Sequence, residues 1–152
     1  MKKNISSSDY NIPFETMKDL HKKGSLQLGI DSSFSQQLLN NKNALQLAQD
    51  EEALQRVSSA FNVWFYISIA IVLFSVYASF TQAWWSFVLG VISCFFINKI
   101  NRKSMDENYL EVCLNDKKFY ENMNTAKKFN FQVDEGLVAT LPIRDSQIIT
   151  KY

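Results

Sequence analysis

From Val57 to Asn98 the chain runs 42 residues without one Asp, Glu, Lys or Arg. No other feature restricts the fold so strongly, because that many adjacent apolar side chains need cover from water. A helix crossing a bilayer needs about 20 apolar residues, at 1.5 Å rise each, to traverse roughly 30 Å of hydrocarbon. One helix over the whole tract would reach about 63 Å, twice that requirement. The tract therefore reads as two spans, about Phe61–Phe80 and Trp84–Ile100, broken at Thr81-Gln82-Ala83. A helical hairpin inside a water-soluble protein would show a polar stripe, and neither segment does.

Flanking charge orients such a pair. Arg56 precedes the first segment, Lys99, Arg102 and Lys103 follow the second, and the connecting turn carries no charge. The positive-inside rule then puts both termini in the cytoplasm, with Trp84 and Trp85 as interface anchors beside an outer turn. The Lys/Asn-rich composition suits a multi-pass protein of a bacterial inner (plasma) membrane. Lys2 and Lys3 have no apolar segment behind them, so a cleavable signal peptide is not expected.

Within the second segment Ser86, Gly90, Cys94 and Asn98 recur every four residues, a ridge of mostly small side chains that lets a neighbouring helix come close in lipid. Ser68, Ser75 and Ser79 share a face of the first segment. The two ridges are expected either to pack on each other or to meet another subunit. No ionisable group stands at membrane depth, which speaks against ion-coupled transport by this chain alone.

The wings are balanced: seven basic and seven acidic residues up to position 56, nine and eight from position 99. Neither has the clustered cations of a nucleic-acid surface. The expected division is an N-terminal segment 1–32 with a short helix from Pro13 to Lys23, stopped by Gly24; an amphipathic helix over 33–60; the membrane hairpin 61–100; a second amphipathic helix over 101–128; and a tail 129–152. The first amphipathic helix opens with a Ser33/Gln36 capping box and, lacking Pro or Gly, runs on into the first span. The second presents Met105, Tyr109, Val112, Phe119, Tyr120 and Met123 on one face, read as a surface for a partner. In the tail, Phe129–Val133 and Leu137–Leu141 alternate about Gly136 as a β-hairpin, with Leu26, Leu28 and Ile30 on a candidate third strand. The fold class expected is an all-α membrane protein: a two-span transmembrane helical hairpin with helical cytoplasmic extensions and a small C-terminal β-hairpin.

Chemistry is sparse. His21, the single histidine, is flanked by lysines and has no nucleophile or orienting carboxylate marked out beside it. Four glycines form no phosphate loop, and Cys94 and Cys113 lack metal-ligand spacing, so no cofactor, metal or catalytic residue is expected. The expectation is a non-enzymatic membrane subunit or adaptor acting by protein–protein contact, immunity or exclusion binding included. Its partners would be the lipid bilayer and other membrane subunits or further copies of itself. An oligomeric pore-forming effector of a bacterial defence or toxin system is the alternative.

Overall fold

Asp31, Asn41, Asp50 and Asp116 each turn a side-chain oxygen onto the backbone two or three residues ahead, and helices begin there. In the computed structural model, which describes residues 2–81 and 83–144, the order is β1 (Lys2–Ser6), α1 (Phe14–Lys22), β2 (Leu26–Ile30), α2 (Ser32–Asn40), a 3-10 turn (Lys42–Leu47), α3 (Glu51–Thr81), α4 (Ser86–Asn115), α5 (Lys117–Thr125), β3 (Phe129–Asp134) and α6 (Glu135–Val138). The chain divides into two compact units, one of Met1–Gln49 with Leu110–Tyr152, the other of Asp50–Tyr109.

In the first unit β3 lies between the other two strands, antiparallel to both, in the order β1-β3-β2. Ile5 and Leu28 stand opposite Phe131, and Leu26 stands opposite Val133. With period-two alternation, Phe129, Phe131 and Val133 all turn to the buried face. Rings then connect strand to helices: Phe131 to Phe129 at 5.9 Å between centroids, Phe129 to Tyr120 of α5 at 5.3 Å, and Tyr120 to Phe14 of α1 at 5.6 Å. Such tilted and offset contacts add to the apolar area that each ring removes from water. The Tyr120 hydroxyl donates to the Ile12 carbonyl at 2.8 Å, so the buried phenol is satisfied. Ser7 Oγ accepts from the Phe129 amide, joining the end of β1 to β3.

Several expectations need correction. The structure is not a two-span membrane hairpin with an otherwise helical chain: among the described residues it has six α-helices and a three-stranded sheet, and one helix, α3, is long and apolar enough to cross a membrane. The reason lies in α4. Its apolar run ends at Ile97, before Asn98, Lys99, Asn101, Arg102 and Lys103, leaving 12 residues or about 18 Å of apolar helix. Nor does one helix run from Ser33 into the apolar tract. It stops at Asn40, because Asn41 adopts an extended conformation and caps the following 3-10 turn. The 101–128 helix is two helices, divided at Asp116, whose carboxylate accepts from the amides of Gln49 and Phe119.

The Leu26–Ile30 strand does pair with β3, but Leu137–Leu141 does not return beside it. Glu135–Val138 forms α6, and β1 takes the other edge of β3. Gly24, at φ +72°, ends the first helix through Ser25 N–H to the Leu20 carbonyl. Gln82 and the tail beyond 144 lie outside the described residues.

Phe131→Ala is expected to cost about 3–5 kcal/mol, the usual loss for truncating a core aromatic. Tyr120→Phe, which orphans part of the Ile12 carbonyl's bonding, should cost about 1–2 kcal/mol. Hydrogen exchange of the β3 amides, compared with the unmodified chain, reads both. Burial, followed by the charge of Asp116, pushes the Cys113 thiol above its ordinary range. A raised folded-state value favours the neutral thiol, so its contribution is complete below the unfolded thiol's pKa of about 8.5 and is lost as pH rises beyond it. The urea midpoint should therefore fall as pH rises from about 8.5 upward, and less steeply in Cys113→Ala.

Candidate interaction surfaces

Among the described residues, every exposed large hydrophobic side chain except Ile143 falls between Val63 and Ile100. In the second unit, α3 shows Trp64, Tyr66, Leu73, Phe74, Tyr77 and Phe80 to its surroundings. Phe80 is 85% exposed. Large exposed apolar patches are rare on water-soluble monomers and more often mark lipid or protein contacts.

Beneath that surface the two helices meet through small and polar groups. A Cβ placed on Gly90 would overlap the Cβ and Oγ of Ser75, so the two backbones approach more closely than any larger residue would permit. Asn98 Nδ2 donates to Ser68 Oγ at 3.3 Å and to the Cys94 carbonyl at 3.0 Å. One turn further, Asn101 Nδ2 donates to the Phe61 carbonyl at 3.0 Å. Ser68, Ser75 and Ser79 each donate to the carbonyl three residues earlier at 2.7 Å, which satisfies the hydroxyls within their own helix. The structure thus brings Ser68, Ser75, Gly90, Cys94 and Asn98 together. Ser79 and Ser86 are half-buried and, among the described residues, make local bonds only: Ser79 Oγ to the Val76 carbonyl, and the Ser86 amide to the Ala83 carbonyl. Asn101, which is buried, belongs to this set; it stands three residues after Asn98 and so falls outside the four-residue spacing of the ridge.

Trp84 and Trp85 are both exposed beside the connection, and Trp84 is 78% exposed. Arg56 lies 3.9 Å from Asp50, a solvent-facing ion pair of small energetic weight. Lys103 pairs with Glu107 at 3.7 Å.

The face read as a partner surface is not presented. Met105, Tyr109, Val112, Phe119, Tyr120 and Met123 are all buried. An amphipathic pattern reports that a face is covered and is silent on whether the cover comes from the same chain or another. Burial raises the phenol of Tyr109, opposed by a hydrogen bond with Ser58, and raises that of Tyr120 as well. His21 Nδ1 sits 3.2 Å from the Leu26 carbonyl, a structural contact between α1 and β2.

The first unit offers a different surface. On the outer face of the sheet Asn4 stands opposite Gln132, which stands opposite Gln27; Ser6, Asn130 and Gly29 form the next row. These six, together with Lys3, Asp9 and Tyr10 among others, line a groove of about 790 Å³. It holds amide donors and acceptors in quantity, with no nucleophile–base pair. Among the described residues no group of three or more His, Cys, Asp or Glu could hold a metal ion.

No family model, curated protein or solved structure matches this chain.

Gly90→Leu should drive the helices apart, lowering the stability of the pair by about 1–3 kcal/mol, as overpacking does. Ser75→Gly in the same chain should recover part of that loss. Thermal unfolding in mild detergent, followed by circular dichroism, measures both.

Proposed function

We propose that this chain is a non-enzymatic membrane protein that works by contact with other proteins. The observation that carries the reading is that, among the described residues, every exposed large hydrophobic side chain except Ile143 falls between Val63 and Ile100, on α3, the connection and α4. Lipid is the cover that suits an apolar surface of this length and aromatic content. The α3 stretch from Phe61 to Phe80 is about 30 Å long, which matches the hydrocarbon thickness. α4 lies along α3 and shields the serine face, through Gly90 and Asn98. The basic residues at the flanks, Arg56, Lys99, Arg102 and Lys103, favour the cytoplasmic side of a bacterial inner membrane.

The unit built on the sheet then supplies recognition. Its outer face is an amide array flanked by the free edges of β1 and β2, suited to the backbone and polar side chains of an extended protein segment. The polar groups between α3 and α4 bond to one another, which favours an anchor over a conducting path.

After alkaline carbonate washing of membranes from expressing cells, the chain should stay in the pellet; its release into the supernatant would refute the membrane reading. A photocrosslinking residue at Gln132 should give an adduct of one defined mass, abolished by Asn4→Glu with Asn130→Glu. Recovery of the monomer alone would refute the role of the sheet.

A further inference from the structure

The α3/α4 pair has unequal apolar lengths, and the inequality falls where its cations are. On α3 the apolar stretch begins at Phe61. On α4 it ends at Ile97, followed by Asn98, and the two asparagine contacts set the level of one helix against the other. Asn98 reaches Ser68, and Asn101 reaches the Phe61 carbonyl. Lys99 and Arg102, next to those asparagines in sequence, therefore stand level with the first apolar turns of α3, where Trp64 is exposed. Asn98, Asn101 and Met105 take the inner face. Lys99, Arg102 and Lys103, spaced i, i+3 and i+4, share an outer face on which all three are exposed. Lys103 is engaged by Glu107. Lys99 and Arg102 have no ion pair or hydrogen-bond partner among the described residues.

Resting on the membrane reading above, we infer that Lys99 and Arg102 form a binding site for the phosphate headgroup of an anionic phospholipid. Lipid beside α4 meets only about 18 Å of apolar helix, so the headgroup layer must dip toward this end, and long basic side chains reach outward to it. Two unneutralised cations one helical turn apart select a headgroup of net negative charge over a zwitterionic one. Guanidinium and ammonium groups both donate to phosphate oxygens, and Arg102 can do so with two N–H groups at once. The Trp64 ring, on the first apolar turns of α3, belongs at the same depth, where the indole N–H finds partners.

The test uses the full chain carrying Trp84→Phe and Trp85→Phe, so that Trp64 is the single indole, reconstituted in phosphatidylcholine vesicles. Equal mole fractions of brominated phosphatidylglycerol or brominated phosphatidylcholine are then introduced, and quenching of Trp64 is recorded. The expected result is a preference for phosphatidylglycerol of about tenfold in relative association. It should fall to near unity in Lys99→Gln/Arg102→Gln and persist in Lys99→Arg/Arg102→Lys. In the unmodified pair of cations it should also shrink when salt is raised from about 0.1 to 1 M, as the screening length contracts. Equal quenching by both lipids, or a preference unchanged in the Gln variant, would overturn the inference while leaving Trp64 in the membrane. Absence of quenching by either lipid would overturn the membrane reading and the inference together.

Discussion

The near-contact of Gly90 with Ser75 determines how the apolar tract is arranged. With no side chain on one helix and a hydroxymethyl on the other, the backbones come together, and everything along the pair takes its register from that point. The asparagine bonds to Ser68 and to the Phe61 carbonyl follow from the same alignment. So does the height at which Lys99 and Arg102 leave the apolar zone. The serines satisfy their own hydroxyls on backbone carbonyls within α3, so packing here leaves few polar groups seeking a partner elsewhere. An apolar exterior around a satisfied polar seam is the arrangement lipid favours, because hydrocarbon offers no hydrogen bonds.

The sheet unit follows another logic. Its strands come from residues 2–6, 26–30 and 129–134, so the two edge strands pair with a central one about a hundred or more positions away. Local patterns cannot specify such a sheet; the ring series Phe14, Tyr120, Phe129 and Phe131 does so by burying a common apolar face. Tyr120 is the joint, contributing a ring to the core and a hydroxyl to the Ile12 carbonyl. What remains outward is a polar face: the amides of Asn4, Gln27, Asn130 and Gln132, with Lys2 and Asp134 in register beyond them.

The places where sequence reasoning stopped short have two causes. Asn41 and Asp116 interrupt what look like continuous helices, because short polar side chains can bond to nearby amides and compete with the helical ladder. An Asx residue inside an amphipathic pattern is a weak signal of that kind, outweighed by the apolar spacing around it. Met105, Tyr109, Val112, Phe119, Tyr120 and Met123 were legible as one apolar face, but whether that face is core or contact depends on chain segments far away in sequence. The ridge Gly90, Cys94 and Asn98 was legible as a close-packing surface, while Asn101, outside the four-residue spacing, was not.

The sequence by itself determined that residues 57–98 are uncharged and that their surface must meet something apolar. It also determined the helix stop at Gly24 and the alternation of β3, since both depend on near neighbours and on backbone geometry. Only the tertiary structure decided that β1 rather than Leu137–Leu141 completes the sheet, and that α3 alone has spanning length and apolarity among the described residues. Strand partners and helix register are set by contacts between distant segments. Those contacts gain their free energy by removing apolar area from water and pairing backbone groups, and neither quantity exists until the segments have met.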